Sequence, residues 1–465
     1  MNELLKLIPK VDKILSDSLI QDYLKRFDRS FIVTLIQNEL DTIREEILKK
    51  SLVLKTDDVV KRIKGRIEDT LAPFTGKAVN ATGIVMNTGL GRAPLSEKAV
   101  ARANEVMTGY STLETDVRSG KRGRREDGIS ALISLITGSE AATVVNNNAA
   151  AVFICINTLS NRKEAVISRG ELVEIGGSFR MPDIIRKSGA RMIEVGATNK
   201  TNLSDYAGAV GPKTGALLKV HSSNYRIEGF TQEVSLKELS ALARETGVPL
   251  YYDLGGGVFE ELSKYGLPHE PTVFESIRDG ADVFSFSGDK VLGGPQCGII
   301  AGKKEIIEKI KKNPLMRILR LDKVRLALLE ETLKYFITND PVGSGHVTLR
   351  LLSLKRPELK QKAKELSGMI KKIVPPGWKV MVEDVNDQAG SGAMPTEKLE
   401  GAAASIEPAG ISVTAFSEKM RTVSKIPVFG YINNEKYYLS LRTVFESEYE
   451  LICSNLTKIC KRISS

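Results

Sequence analysis

The chain has 465 residues, of which 42% are hydrophobic and 27% charged, an ordinary balance for a globular protein of roughly two to four domains. Lysine and arginine number 67 against 57 aspartates and glutamates, and the net charge of +10 favours anionic partners without naming one. No run of about 18 apolar residues occurs, so no membrane span is expected, and the N-terminal MNELLKLIPKVDKIL carries charges inside its apolar stretch, unlike a signal peptide. Cys155, Cys297, Cys453 and Cys460 form no C-x-x-C pair, which fits reduced thiols in a cytoplasmic protein; His221, His269 and His346 are scattered, which argues against a histidine-based metal site.

Residues 1–70 read as a small helical domain. Ile32, Ile36, Leu40, Ile43 and Ile47 follow steps of four, four, three and four, placing them on one helix face, with Asp28 or Ser30 as candidate cap. Charge there is nearly balanced, at 14 basic and 13 acidic residues, so any nucleic-acid role rests on where the cations stand. Pro73 and Gly76 punctuate a linker at 71–79.

From 71 to 340 the pattern is strand, loop, helix, repeated. ATVV (142–145), EAVIS (164–168), GALLKV (215–220), PLYYD (249–253) and DVFSF (282–286) are separated by amphipathic segments of helix length. Strands alternating with helices predict an α/β domain with a mostly parallel sheet. Pro341–Gly345 is a second break, and 341–465 reads as a smaller α+β domain, with a helix over 358–373 and strand-like WKVMVE and KYYLSLRTV. Basic residues cluster at 303–325, where nine stand against Glu305, Glu308 and Asp322.

Three windows carry chemistry. In VVNNNAAAVFICI (144–156) a strand runs into asparagines and an alanine-rich helix; the N–H groups at Asn147, Asn148 and Ala149 suit a phosphate, while simple N-capping is the plainer reading. In PLYYDLGGG (249–257) an apolar strand ends in Asp253, where α/β folds bind ligands; the plainer reading is a turn-forming aspartate. In SFSGDKVLGGPQCGII (285–300) Lys290 stands on a glycine-rich turn between two strands, just after Ser287 and Asp289. Partial burial would lower its pKa and make the amine a nucleophile fit for a Schiff base; a surface lysine in an ordinary hairpin is the alternative. Together the windows offer a pyridoxal phosphate its amine, a carboxylate for the pyridine nitrogen and a phosphate cradle.

The chain is similar to the bacterial L-seryl-tRNA(Sec) selenium transferases, or selenocysteine synthases, in VNATGIVMNTGLGRAPLS (79–96), YSTLETDVRSGKRGRRE (110–126), VVNNNAAAV (144–152), SRGELVEIGGSFRMPDI (168–184), KVHSSNYRIEGF (219–230), YYDLGGG (251–257), FSGDKVLGGPQCGII (286–300) and LRTV (441–444). The resemblance implies a cytoplasmic homodecamer built from dimers, with a fold-type-I pyridoxal-phosphate core. It implies conversion of serine-charged tRNA(Sec) to selenocysteinyl-tRNA(Sec) through an aldimine and an aminoacrylyl intermediate, with selenophosphate as donor. On it, Lys290 carries the cofactor and takes the Cα proton, Asp253 holds the ring protonated, Asp289 is a candidate proton shuttle, and Asn147, Asn148, Ala149 and Ser287 complete the cofactor site.

Arg92, Arg317 and Arg320 line the donor pocket in the family; guanidinium forks suit phosphate and selenophosphate oxygens, and a solvated helix face is the alternative for the R-x-x-R pair. Tyr225 is a candidate for reaching a neighbouring subunit's site, and RSGKRGRRE (118–126) for touching phosphate or the tRNA end. In the family the N-terminal domain reads the D-arm of the tRNA, with Lys25, Arg26, Arg29, Lys61, Arg62 and Lys64 as candidates here; packing against a neighbouring subunit is the other use for such helices. The competing enzyme reading is a fold-type-I lyase or transferase of a free amino acid or amino sugar, against which residues 1–70 argue. A tRNA-binding protein with a degenerate core is the third reading, against which Lys290 and Asp253 argue.

Overall fold

A computed structural model describes residues 8–50, 55–176, 179–225, 227–390 and 398–464. The chain divides into two compact units, Met1–Lys77 and Ala78–Ser465. The first holds helices α1 (Val11–Leu15), α2 (Ser18–Leu24), α3 (Arg29–Lys50) and α4 (Thr56–Leu71). Ile32, Ile36, Leu40, Ile43 and Ile47 are all at most 2% exposed and face Val59, Val60, Ile63 and Ile67 of α4. Each such side chain contributes about 1.5–3 kcal/mol of burial, so a charge at Ile36 would break the unit. Asp28 caps α3, its Oδ1 accepting from the N–H groups of Ser30 and Phe31 at 2.8 and 3.2 Å.

The second unit is built on a seven-stranded sheet. Its strands are β1 (Ala141–Val145), β2 (Glu164–Ser168), β3 (Arg191–Val195), β4 (Thr214–Val220), β5 (Leu250–Gly255), β6 (Val283–Ser287) and β7 (Gly298–Gly302), in the order β1-β7-β6-β5-β4-β2-β3. All neighbours run parallel except β7, which is antiparallel to both β1 and β6. Consecutive residues feed opposite apolar layers: Val144, Leu217, Tyr252, Phe284 and Ile299 one, Val145, Leu218, Tyr251, Val283 and Ile300 the other. With both faces covered, the strands read as unbroken apolar runs. β3, RMIEV, is the exception; it is an edge strand, half exposed, and its mixed composition hid it from the sequence reading.

The C-terminal layer is a four-stranded antiparallel sheet of β8 (Lys379–Asp387), β9 (Leu399–Glu407), β10 (Tyr431–Asn433) and β11 (Lys436–Ser440), ordered β8-β9-β11-β10. It also takes in the start of the unit: Val79–Asn80 pairs with Val428–Phe429, and the N–H groups of Val85 and Met86 donate to the carbonyls of Gln388 and Ala389. The strand expected through KYYLSLRTV stops at Ser440, and two residues on Arg442 is buried. Arg442 and Asp387, each with a side chain 1% exposed, form an ion pair at 3.0 Å, and the guanidinium also donates to the carbonyls of Leu351, Leu352, Leu354 and Glu400.

Candidate active site

Asp253 lies near the C-terminal end of β5, 5% exposed. Its Oδ1 accepts from Asn148 Nδ2 at 2.9 Å and from the Gly255 N–H at 3.2 Å; among the described residues its Oδ2 has no donor. Asn148 Oδ1 in turn accepts from Ser285 Oγ at 2.9 Å, which obliges the Tyr251 hydroxyl, 2.7 Å from Ser285 Oγ, to donate. A relay of neutral groups therefore grips one carboxylate oxygen and leaves the other uncommitted. Burial pushes the carboxyl above its usual pKa, opposed by the Asn148 hydrogen bond and then by the charge of Lys290.

Lys290 sits on the turn between β6 and β7, 8% exposed. Burial holds its ammonium below the usual lysine range, against the pull of Asp253. No ion pair joins the two, and among the described residues the amine makes no hydrogen bond. The turn is tight because of Gly288, where a Cβ would lie 2.3 Å from Cys297 Sγ and 2.7 Å from the Pro295 carbonyl. Ser287, the last residue of β6, is 6% exposed.

Helix Asn148–Ser160 begins directly after β1. Asn147 caps it, its Oδ1 accepting from the Ala150 N–H at 2.8 Å, so the N–H groups of Asn148 and Ala149 remain free for an anion. Gly298 lets this helix approach the sheet, since a Cβ there would meet the Asn147 carbonyl at 2.3 Å. The three windows thus converge: the asparagine run touches Asp253 through the Asn148 side chain, and Asp253 and Lys290 shift each other's pKa.

Arg92 approaches from the glycine-rich loop after Asn87. Its backbone is left-handed, with φ +66°, a conformation that costs a non-glycine residue about 1–2 kcal/mol. The loop is closed by the Arg92 N–H donating to the Asn87 carbonyl at 2.8 Å, and the guanidinium pairs with Asp289 beside Lys290. Arg317 and Arg320 lie in and just after the short helix Met316–Leu319, both exposed. Their segment meets the asparagine run, because the Asn146 N–H donates to the Leu319 carbonyl at 2.8 Å.

The basic run at 118–126 backs the same segment: Glu114 pairs with Arg122, Arg125 and Arg320, and Arg125 donates to the Leu321 carbonyl at 2.9 Å. Tyr225 is not brought against Lys290 within the chain. Its hydroxyl donates to the Gly170 carbonyl, and it lines a cavity of about 540 Å³ with Glu171, Thr198, His221 and Glu270. In the first unit Arg62 is spent on structure, pairing with Glu39 and Glu46, both at 2.6 Å, whereas Arg29 and Lys61 are exposed and make no ion pair among the described residues.

The sequence reading missed the side-chain role of Asn148, whose only local signal was its place in an asparagine run, and it gave no role to Ser285 or His346.

Sheet order, the reversed β7 and a lysine on the β6–β7 turn define a fold-type-I transferase core. The structure of D-glucosaminate-6-phosphate ammonia-lyase matches it with a TM-score of 0.59 at 18% identity, covering 86% of this chain and 99% of that one. Residues 78–445 match the family model described as L-seryl-tRNA selenium transferase, and residues 5–44 the model described as selenocysteine synthase N terminal. The L-seryl-tRNA(Sec) selenium transferase of Clostridium botulinum (strain 657 / Type Ba4) is 41% identical over 460 residues, 99% of each chain. That of Carboxydothermus hydrogenoformans is 41% identical over 465 residues, 100% of this chain and 97% of the relative. The chain belongs to the L-seryl-tRNA selenium transferase family.

Proposed function

We propose that this family member converts L-seryl-tRNA(Sec) to L-selenocysteinyl-tRNA(Sec) with selenophosphate in the cleft between Lys290, Asp253 and the helix at Asn148, using pyridoxal phosphate. The observation that carries the cofactor is the set of groups found together that have no partner among the described residues: the amine of the buried Lys290, one oxygen of the buried Asp253 carboxylate, and N–H groups at a helix N-terminus. They suit an aldehyde, a ring N–H and a phosphate, respectively. Bound there, the cofactor supplies a ring that accepts the electron pair left when the seryl Cα–H bond breaks.

The remaining work falls to the chain. Lys290 would hold the cofactor through its amine and, once displaced by the seryl amine, take the Cα proton; its lowered pKa keeps a neutral amine within reach. Asp253, gripped by Asn148, would hold the proton on the ring nitrogen, with the Ser287 hydroxyl at the cleft wall. Asn147, Asn148 and Ala149 would seat the phosphate. The β-hydroxyl would leave as water with the proton taken from Cα; selenium of the selenophosphate would then bond to the β-carbon while Cα regains a proton, and water would cleave the Se–P bond to release phosphate. Arg92, Arg317 and Arg320 would bind the donor's oxyanions, and Asp289 would both aim Arg92 and serve as a proton relay.

The first unit, with the exposed Arg29 and Lys61 on its helices, would read the shape of the tRNA, whose 3′ end alone needs the cleft. Tyr225 would contribute to the site of a neighbouring subunit in a decamer of dimers. The site of action would be the cytoplasm; among the described residues no helix is long and apolar enough to cross a membrane. Borohydride reduction of the holoenzyme followed by peptide mapping tests the centre of this reading. The pyridoxyl label is expected on the peptide carrying Lys290, and a label on another lysine overturns it.

A further inference from the structure

The Lys290 turn is held from a second side, by a residue to which the reaction above gives no role. His346 is 2% exposed. Its Nδ1 accepts from the Leu349 N–H at 3.1 Å, capping the helix Val347–Ser353, and its Nε2 lies 2.9 Å from the Leu292 carbonyl oxygen. A ring nitrogen that accepts from an N–H carries no proton, and one that faces a carbonyl must donate. The bonds at its two ends therefore fix a neutral ring with the proton on Nε2. Burial acts in the same direction, holding the ring below its usual pKa.

The ring has no freedom to move. Tyr335 and Phe336 meet it edge to face, at 5.7 and 5.1 Å between centroids. Gly293 lies against it with φ +70°, and a Cβ there would come within 2.6 Å of His346 Cε1. The Gly293 N–H donates back to the Lys290 carbonyl at 2.9 Å, and the Gly294 N–H to the Gly288 carbonyl at 2.8 Å. The turn is thus closed on itself and tied outward through Leu292. The far end of the tie is rigid as well: Arg442 holds the carbonyls of Leu351 and Leu352 at 2.8 and 3.3 Å while paired to Asp387.

We propose that His346 is a positioning residue for Lys290: its imidazole clamps the Leu292 carbonyl and so fixes the direction from which the lysine amine enters the cleft, coupling the lysine turn to the C-terminal layer. The proposal rests on the reading of Lys290 as the reactive amine. It goes beyond that reading in assigning the amine's orientation to a residue 54 positions from the bond it makes.

Two substitutions divide the two jobs of the ring. H346N keeps an acceptor where Nδ1 stands, and asparagine is a good cap, but its amide is too short to reach Leu292. H346Q keeps a donor at the reach of Nε2 and caps poorly. Cofactor-free protein is mixed with pyridoxal phosphate and quenched with borohydride at intervals, and the label at Lys290 is counted. In parallel, acetylation of Lys290 by trace acetic anhydride is followed without cofactor.

In H346N both rates should fall about tenfold, the size of one buried hydrogen bond, at a thermal midpoint near that of the unaltered protein. H346Q should restore most of both rates at a lower midpoint. Wild-type rates in H346N, or slower reaction in H346Q than in H346N, overturn the proposal and leave His346 a helix cap. Should neither variant fold, native-state hydrogen exchange of the unaltered protein decides: residues 290–294 and 347–353 opening as one unit support the clamp, and independent opening refutes it. A pyridoxyl label elsewhere in the unaltered protein would instead sink the reading of Lys290, while the acetylation comparison would still judge the clamp.

Discussion

Replacing Asn148 by alanine tests the electrostatic design of the site most directly. In the structure its amide donates to Asp253 Oδ1 at 2.9 Å inside a buried relay. A hydrogen bond to a charged acceptor is worth about 1.5–3 kcal/mol, and one between neutral groups about 1 kcal/mol. Its loss therefore penalises the carboxylate by about 1–2 kcal/mol more than the acid, and the Asp253 pKa should climb by about one unit. Burial already holds that pKa above the unfolded value. A carboxyl raised on folding adds stability below its unfolded pKa and loses it as pH rises through the folded one. The variant should therefore go on losing stability with rising pH over a window that ends about one unit higher.

Infrared difference titration of cofactor-free protein reads the midpoint, with Asp253→Asn identifying the band. Ser285→Ala, which frees the Asn148 amide to rotate, should shift the midpoint the same way by less. An unchanged or lower midpoint in Asn148→Ala would refute the argument that this amide selects the charged form of Asp253.

Asp253→Asn should retain part of its cofactor binding and lose turnover by about 100-fold or more, since a neutral amide does not hold a ring nitrogen protonated; near-normal turnover in a steady-state assay contradicts the role. Arg317→Ala and Arg320→Ala should raise the selenophosphate concentration required while water elimination from the seryl group survives, and equal failure in both half-reactions in single-turnover experiments would remove them from the donor pocket. Deleting residues 1–77 should leave a folded core that no longer selects its tRNA. Within that unit Lys61→Ala should lower the salt slope of RNA binding by about one, and Arg62→Ala should chiefly lower the thermal midpoint; the reverse pattern contradicts the assignment. Because burial holds His346 neutral, outweighing the opposing hydrogen bond to the Leu292 carbonyl and the smaller pull of Glu260, the unfolded chain takes up a proton below its pKa of about 6.5 that the folded ring refuses. Stability should therefore fall as pH drops through that value, and His346→Asn should flatten the slope in denaturant titrations.

Much of this protein was legible in short stretches of chain. The isoleucines of α3 announced their face because helix periodicity repeats every few residues, and EAVIS appeared as a strand at 164–168 because a buried strand is an unbroken apolar run. The windows around Asn147, Asp253 and Lys290 were readable for the same reason: a cap, a strand end and a glycine turn are local events. The sequence alone did not say which partners those residues would meet. Asn148 reaches Asp253 across 105 positions, Arg92 reaches Asp289 across 197, and Arg62 is consumed by Glu39 and Glu46 on another helix. The first two follow from the sheet's strand order, the reversal of β7 and the register of β5 against β6, and the last from the packing of α4 on α3; these bring distant segments within 3 Å of each other. Local propensity acts over a few residues and a hydrogen bond acts over a few ångströms; only the folded sheet converts one into the other.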